Sequence, residues 1–285
     1  MKILKIAVQK SGRLNEQSLQ LLKECGIAIN NGNNRLKARA SNFPVEVLFL
    51  RNSDIPQYIE DGVADISIIG ENVVIEKQKN VRILEKLGFA KCRLSLAIPK
   101  NETYTGLNFF NGIKVATSYP NTLRKFLDEN KLDTEIHEIS GSVEIAPNIG
   151  LADSICDLVS SGSTLFSNGL KEVEVILKSE ACLAVSQSIA PEIQLILDKL
   201  LFRIRSVMAA RNNKYILLNA PNDKLEKIID VLPGMKSPTI MPLADKNWSS
   251  LHSVINENDF WEVIDELKEN GAQGILIIPI EKMVA

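Results

Sequence analysis

Residues 45–70 read VEVLFLRNSDIPQYIEDGVADISIIG, and the fold class follows from this stretch. Its two ends, VEVLFLR (45–51) and ADISIIG (64–70), are short apolar runs rich in β-branched residues, which favour strands. Between them, Ile55 and Ile59 recur at helical spacing. A strand, a helix and a strand in this order predict a parallel α/β sheet, whose ligands bind beyond the carboxyl ends of the strands.

The same alternation continues on both sides of this stretch. Two such units, separated by a polar connection near residues 99–112, predict two lobes with a ligand cleft between them. Apolar runs at 173–179 and 181–186 predict strands that lead the chain back to the first lobe, before a long helix at about 191–210. The other predicted elements are a strand at 2–8, a helix at 15–26, a strand at 113–119, a helix at 120–130 and a strand at 134–140.

From Asn212 onward the pattern changes to strand, helix, strand, strand, helix, strand. This βαββαβ order is that of the ferredoxin-like unit, and about 70 residues suffice for a separate domain. The segment carries no catalytic constellation of its own. By fold analogy, it is expected to be a sensor or an assembly surface.

Composition excludes several classes of function. The 285 residues carry a formal charge of only −2, so neither nucleic acid nor a membrane surface is an expected partner. The amino terminus lacks the apolar core of a signal peptide, and no apolar run approaches the length of a membrane helix, so we expect a cytoplasmic location. The four cysteines are widely spaced and are predicted to be core thiols: Cys25, Cys92, Cys156 and Cys182. Neither histidine, His137 or His252, lies in a metal-binding or nucleophile motif.

The segment DLVSSGSTL (157–165) places four hydroxyl residues around Gly162 after an apolar run. Backbone N–H groups at such a strand-to-helix turn have no intrahelical partner, so the turn can hold a phosphate. It lacks the Gly-Lys-Ser/Thr ending of a P-loop. A capped helix without a ligand is the alternative, since Ser, Thr and Asp are common caps. Asp157 itself either binds a ligand or caps backbone groups of the turn.

Polar residues also follow three strands of the first predicted lobe. QKSGRL (9–14) brings Lys10, Gly12 and Arg13 to the end of the first strand. Arg suits a phosphate or a purine face because its guanidinium forms paired hydrogen bonds and stacks. A solvated basic helix entrance is the alternative, but RNSD (51–54) and GEN (70–72) follow the next two strands in the same way.

Carboxylates precede the hydroxyl turn in the segment SGSVEIAPNIGLADSICDLVSSGSTL (140–165). Glu144, Asp153 and Asp157 could bind ribose hydroxyls or a magnesium ion if the ligand is a phosphorylated sugar.

Together, these motifs resemble ATP phosphoribosyltransferase, the first enzyme of histidine biosynthesis. The likeness rests on QKSGRL, the segment 140–165 and NGLKEVEVILKSEACL (168–183). It extends to LPGMKSPTIMPLAD (232–245) and the tail, which are similar to the regulatory domain of the family's long form. It thus covers essentially the whole chain.

The resemblance implies a two-lobed α/β catalytic core, related to type II periplasmic binding proteins, and a ferredoxin-like (βαββαβ) regulatory domain. The expected divisions are 1–99 with 180–211 for the ATP-side lobe, 100–179 for the phosphoribosyl diphosphate side and 212–285 for regulation. It further implies Mg²⁺ as cofactor, L-histidine as allosteric inhibitor, and a homo-oligomer, a dimer or hexamer.

The family pattern implies three groups of binding residues. Those for ATP are Gly12, Arg13, Leu14, Asp65 and Glu71; those for phosphoribosyl diphosphate are Asp153, Asp157, Ser160, Ser161, Gly162, Ser163 and Thr164; those for histidine are Ser237, Thr239 and Ala272. The residues expected to act in catalysis are Lys10 and Arg13, on the nucleotide side, and Glu144, whose carboxylate could stabilise charge or accept the proton released from the purine amino group.

Two alternatives remain at this point. A two-lobed scaffold can bind a small molecule without chemistry, although the sequence offers no helix-turn-helix or basic stripe for a transcriptional role. A phosphoribosyltransferase acting on another base is the second, because the hydroxyl turn cannot distinguish acceptors.

Overall fold

The computed structural model describes residues 2–29, 36–232, 234 and 237–284. The chain separates into two compact units, one formed by the residues up to Lys23 with Ile27–Ile196, and the other by Glu24–Gly26 with the residues from Leu197 onward. Pro233, Met235 and Lys236 of the 232–245 motif lie outside the described residues. No helix in the described ranges is long and apolar enough to cross a bilayer.

A six-stranded sheet with three helices forms the first lobe. Its strand order is β2-β3-β1-β4-β11-β5, in which β1, β3 and β4 are parallel and β11 lies antiparallel between β4 and β5. The strands are β1 (Leu4–Gln9), β2 (Lys37–Arg39), β3 (Val45–Leu50), β4 (Ile66–Gly70), β5 (Val81–Lys86) and β11 (Ala181–Ser186), and the helices are α1 (Arg13–Glu24), α2 (Ile55–Glu60) and α3 (Glu71–Lys77).

A five-stranded sheet with two helices forms the second lobe. Its order is β10-β6-β9-β7-β8, in which β7, β8 and β9 are parallel and β6 lies antiparallel between β9 and β10. The strands are β6 (Cys92–Pro99), β7 (Lys114–Thr117), β8 (Glu135–Glu138), β9 (Ser154–Val159) and β10 (Leu170–Ser179), and the helices are α4 (Pro120–Glu129) and α5 (Ser163–Ser167).

The two sheets exchange one strand each. β6 follows β5 in the chain but enters the second sheet, and β11 follows β10 but returns to the first. Both strands are antiparallel to their neighbours, so both crossovers lie at the edge where the parallel strands end. This arrangement confirms the expected two-lobed α/β core and brings the carboxyl edges of both sheets to one place.

The opening stretch of the sequence packs as its pattern predicts. Ile55 and Ile59 of α2 are fully buried and belong to one apolar cluster with Ile69 of β4. Each such side chain contributes about 1.5–3 kcal/mol through burial. The strand–helix–strand prediction is therefore confirmed, with β3, α2 and β4 in the predicted order.

The carboxyl-terminal unit contains a four-stranded antiparallel sheet in the order β13-β14-β12-β15. Ile216 and Leu218 of the central strand pack against Phe260 and Leu267. The elements follow the predicted βαββαβ sequence: β12 (Asn213–Pro221), α7 (Leu225–Val231), β13 (Thr239–Pro242), β14 (Trp248–Asn256), α8 (Glu257–Glu269) and β15 (Gln273–Pro279).

Two predicted divisions do not coincide with this architecture. β6 lies within the range 1–99 predicted for the first lobe yet pairs within the second sheet, and α6 (Pro191–Arg211) belongs from Leu197 onward to the carboxyl-terminal unit. The predicted elements also omit β2, α3, β5 and β6.

Candidate active site

The hydroxyl turn predicted to hold a phosphate lies at the carboxyl edge of the second sheet. It follows β9 directly and leads into α5. Ser160, Ser161, Ser163 and Thr164 are exposed and Gly162 is partly exposed, so packed side chains do not occlude the turn. Its hydroxyl groups are therefore accessible to a ligand.

The conformation of the turn depends on Gly162, which has a φ of +82°. Glycine adopts this left-handed conformation without the steric penalty of a side chain. Ser161 and Ser163 close the turn with a 3.0 Å contact between their Oγ atoms. Among described residues, the N–H groups of Gly162, Thr164 and Leu165 find no protein acceptor. The turn thus offers both hydroxyl and backbone donors to an anion.

Arg93, at the start of β6, braces the beginning of this turn. Its Nη1 donates to the carbonyl oxygen of Ser160 at 3.2 Å, while Nε and Nη2 each donate to Glu172 at 2.5 Å. Ser95 Oγ donates to the same carboxylate at 2.7 Å. Hydrogen bonding from Arg93 lowers the pKa of Glu172, which keeps this brace charged. The sequence pattern did not identify this pair, although an Arg at the start of an apolar strand is an unusual placement that requires a partner.

Two carboxylates lie beside the turn. Asp157 is half-buried within β9, and Glu144 lies in a short 3-10 turn after β8. Burial, followed by the nearby charge of Glu144, raises the pKa of Asp157. Tyr119, which precedes α4, shares this environment, since burial and then the charge of Asp157 raise its pKa. The structure therefore brings Glu144 close enough to Asp157 for its charge to act on that carboxyl group.

The first lobe presents the predicted basic turn at its own carboxyl edge. Lys10, Gly12 and Arg13 are exposed between β1 and α1, and Leu14 is partly exposed. Lys10 N donates to the Leu50 carbonyl oxygen at 2.7 Å, which ties the turn to the end of β3. Gly12 has a φ of +87°. The structure therefore places these four residues together at the carboxyl end of β1.

A cavity of about 410 Å³ lies where the two crossovers meet. Glu71, the first residue of α3, lies in its wall and forms an ion pair with Lys86 at 2.9 Å. Ser160 lies in the same wall, so a residue predicted for ATP and one predicted for the sugar phosphate border one space. The remaining wall residues are mostly basic or polar: Lys91, Cys92, Arg93, Lys178, Ser179 and Glu180.

Asp65 and Asp153 do not join this site, contrary to the prediction. Asp65 precedes β4, and its carboxylate accepts a hydrogen bond from Lys5 N at 2.7 Å. Asp153 precedes β9 and accepts one from Lys114 N at 2.8 Å. Each carboxylate thus accepts a hydrogen bond from the amino end of the neighbouring parallel strand, β1 for Asp65 and β7 for Asp153. From Asp153 to Ser160 the strand advances by about 23 Å, at roughly 3.3 Å per residue.

The residues predicted for histidine also lie apart within one chain. Ser237 and Thr239 are exposed at or before β13, whereas Ala272 is buried just before β15. β13 and β15 are the opposite edges of the four-stranded sheet. Three strand spacings separate them, which is about 14 Å.

Three of the four cysteines are core thiols, as expected. Cys25, Cys156 and Cys182 are buried, and burial raises the pKa of Cys25 to about 11 and that of Cys182 to about 12. Cys92 is only half-buried and borders the cavity. His252 Nδ1 lies 2.8 Å from Tyr215 Oη. Within the described ranges, no three His, Cys, Asp or Glu side chains are placed to hold a metal ion.

Comparisons with known proteins identify the family to which the chain is similar. A family model described as ATP phosphoribosyltransferase matches residues 51–206, and one described as HisG, C-terminal domain, matches residues 210–282. The ATP phosphoribosyltransferase of Cytophaga hutchinsonii is 58% identical over 282 residues, covering 99% of each chain. That of Bacteroides thetaiotaomicron is 57% identical over 282 residues, covering 99% of this chain and 100% of the relative.

One solved structure extends the comparison to the fold. The ATP phosphoribosyl transferase (HisG:HisZ) complex from Thermotoga maritima matches with a TM-score of 0.60 and 27% identity. The match covers 71% of this chain and 99% of the other. Relatives of this kind argue against a binding module without chemistry, which was the first alternative.

Proposed function

Because the chain belongs to the ATP phosphoribosyltransferase family of histidine biosynthesis, we propose that it joins N1 of ATP to C1 of 5-phosphoribosyl 1-diphosphate and releases diphosphate. The product is 1-(5-phosphoribosyl)-ATP. The observation that carries this proposal is the exposed hydroxyl turn beside Asp157 and Glu144, which borders the same cavity as Glu71 of the other lobe.

The hydroxyl turn is proposed to hold the 5-phosphate of the sugar. Its support is the set of exposed Ser and Thr hydroxyls together with N–H groups that have no protein acceptor in the described chain. Such donors bind an anion without spending energy on rearrangement. Asp157 of β9, three residues before Ser160 of the turn, is proposed to bind the ribose hydroxyls.

The basic turn of the first lobe is proposed to hold ATP. Lys10 and Arg13 can neutralise phosphate charge, and the Arg13 guanidinium can also stack on the purine. Gly12 and Leu14 would line the same edge, and Glu71 would contribute from the start of α3. The two substrates would then approach each other from facing sheet edges.

The reaction places modest chemical demands on the protein. The purine nitrogen is already a nucleophile, so no Ser, Cys or His nucleophile is required. Aligning two polyanions and stabilising charge at C1 supply most of the rate. Glu144 is proposed to accept the proton released from the purine amino group, since it lies beside Asp157 at the sugar side.

Magnesium is proposed to enter with the diphosphate group of the substrate. Mg²⁺ commonly binds through one or two carboxylates plus substrate phosphates rather than through a complete protein cage. The carboxylate of Asp157, on the sugar side, fits this requirement, and the described residues offer no larger metal-binding cluster. When bound, the ion would neutralise the departing diphosphate.

The carboxyl-terminal unit is proposed to bind L-histidine and inhibit the enzyme. Ser237 and Thr239 lie at one sheet edge, and Ala272 lies near the other. One histidine can therefore contact both sets only if different copies of the chain contribute them. The proposal thus includes a homo-oligomer, a dimer or hexamer, in which binding favours one arrangement of the subunits.

The direct test mixes the purified protein with magnesium, ATP and 5-phosphoribosyl 1-diphosphate. We expect a product of the mass of phosphoribosyl-ATP and a change in purine absorbance, both reduced by histidine. Parallel reactions with adenine or orotate in place of ATP provide the control for acceptor identity. Turnover with either of these and not with ATP would transfer the assignment to another phosphoribosyltransferase.

A further inference from the structure

A buried carboxylate joins the two lobes at a position that the proposed chemistry does not use. Glu76 lies in α3 of the first lobe and is only 3% exposed. Its carboxylate accepts hydrogen bonds from Asn121 N at 3.0 Å, Thr122 N at 2.9 Å and Thr122 Oγ1 at 2.7 Å. Both partners lie in the first turn of α4, which belongs to the second lobe.

Glu76 thus caps a helix that is not its own. The first N–H groups of a helix have no intrahelical acceptor, and Tyr119 at the N-cap position of α4 supplies no side-chain hydrogen bond. A carboxylate placed there is favoured by the positive end of the helix dipole. Removing it would leave buried donors without acceptors, so α4 would lose its preferred position against α3.

A second contact of α3 reaches the same region. Asn72 Nδ2 donates to Tyr119 Oη at 3.1 Å, and Asn72 N donates to Ser179 Oγ at 3.0 Å. Ser179 ends β10, so the amino-terminal end of α3 is fixed to two parts of the second lobe. Both ends of this helix therefore hold the segment that leads from β7 into α4.

That segment connects to the carboxylates of the candidate site. Tyr119 lies near the charge of Asp157. Ser118 Oγ donates to the Ile139 carbonyl oxygen at 2.6 Å and accepts from Gly141 N at 3.3 Å, within the loop that leads to Glu144. A shift of α4 would consequently displace both sides of this carboxylate pair relative to the first lobe.

We propose that Glu76 is a positioning residue, which sets the alignment of the second lobe's carboxyl edge against the first lobe. Its catalytic consequence rests on the proposed function, because only a reaction between ligands of different lobes needs this alignment. The structural part of the proposal concerns α3 and α4 alone and holds for any ligand of the two edges.

The test is the substitution Glu76→Gln. It keeps the size of the side chain but directs an NH₂ group or a weaker acceptor at the α4 donors. We expect kcat to fall about 100-fold, since an ångström-scale misplacement far from the reacting atoms can cost that much. The dissociation constant of 5-phosphoribosyl 1-diphosphate alone should stay within about threefold, because its contacts lie in one lobe. An effect on binding as large as that on kcat would overturn the positioning role.

Glu60→Gln is the matched control. The Glu60 carboxylate accepts from Asn80 N at 3.0 Å and pairs with Lys79 at 3.2 Å, all within the first lobe. This variant also removes a carboxylate that accepts from a backbone N–H, here on an exposed side chain, and kcat should stay within about twofold of wild type. A loss equal to that of the Glu76 variant would show that the effect is not specific to the contact between lobes.

Two further measurements decide the matter independently of turnover. Amide hydrogen exchange in residues 118–124 should accelerate in Glu76→Gln and not in Glu60→Gln, even if the protein proves inactive with ATP. If Glu76→Gln fails to fold, Thr122→Val removes the hydroxyl donor from the opposite side of the same contact and should show the same exchange and kcat changes in weaker form. Unchanged exchange in these variants would refute the proposal.

Discussion

The carboxyl group of Asp157 is half-buried in β9, where burial and then the charge of Glu144 raise its pKa. The pKa of this group is therefore higher in the folded protein than in the unfolded chain, where it is about 3.9. The protonated carboxyl stabilises the folded state fully below the unfolded pKa, and this contribution is lost as the pH rises through the folded-state pKa. At neutral pH, the ionised group therefore lowers the free energy of unfolding.

Asp157→Asn should accordingly raise Tm at pH 7.5, and this advantage should shrink as the pH approaches about 4. The same change should lower kcat/KM for 5-phosphoribosyl 1-diphosphate about 10- to 100-fold, the cost of one hydrogen bond to a charged group. Thermal unfolding across pH and steady-state kinetics measure the two effects. A variant with a lower Tm than wild type at pH 7.5 would contradict the inference that ionised Asp157 destabilises the folded protein.

Asp153→Ala, at the residue just before β9, is the control. It should lower the free energy of unfolding by about 1 kcal/mol through loss of the bond from Lys114 N, and leave kcat/KM unchanged. Asp153 and Asp157 are four residues apart, and sequence reasoning assigned both to the ligand. The structure separates them, because Asp153 precedes β9 and Asp157 lies near its carboxyl end. A sequence motif alone does not show which of its residues precede a strand and which lie near its end.

The turn between β9 and α5 is the element whose backbone matters most for the proposed phosphate site. Gly162→Ala should fold, because the added Cβ would lie an ordinary 3.9 Å from Val159 Cγ1. The positive φ should nevertheless cost about 1–2 kcal/mol and shift the hydroxyls of Ser161 and Ser163. We expect Tm to fall by about 2–4 °C or more, and KM for 5-phosphoribosyl 1-diphosphate to rise.

Gly112→Ala separates backbone strain from loss of the anion site. Gly112 has a φ of +73°, and an added Cβ would meet no atom within 4 Å, but this glycine precedes β7 at the amino edge of the sheet. Its variant should lose similar stability without any change in KM. If both variants raise KM equally, the hydroxyl turn has no special part in binding.

Local patterns predicted the elements whose apolar residues recur strongly, such as β3, α2 and β4. They also located the hydroxyl turn, because Gly162 and its Ser and Thr neighbours form a distinctive local signal. Glu76 gave no such signal, because α3 itself was not among the predicted elements. Its buried role arises from α4, which lies 45 residues further along the chain at Asn121.

At the scale of the whole molecule, the two crossovers determine where chemistry can occur. β6 and β11 each leave one sheet and enter the other, which brings two carboxyl edges together. The sequence predicted that β11 returns to the first sheet, but it did not predict that β6 joins the second sheet. An apolar run indicates that a strand is buried, but it does not indicate which sheet the strand joins. The βαββαβ order likewise predicted the carboxyl-terminal sheet, but not the edges on which Thr239 and Ala272 would lie.

The position of Thr239 and Ala272 at opposite edges leads to a prediction about the assembly. If histidine bridges two copies, inhibition requires that they associate, so dilution below the dissociation constant of the oligomer should raise the histidine concentration needed for half-inhibition. Inhibition curves over a range of protein concentrations, compared with particle masses at the same concentrations, measure this link. Activity per chain without histidine controls for unfolding on dilution. Equal inhibition of particles with the mass of one chain and of the full assembly would place the complete histidine site within a single chain.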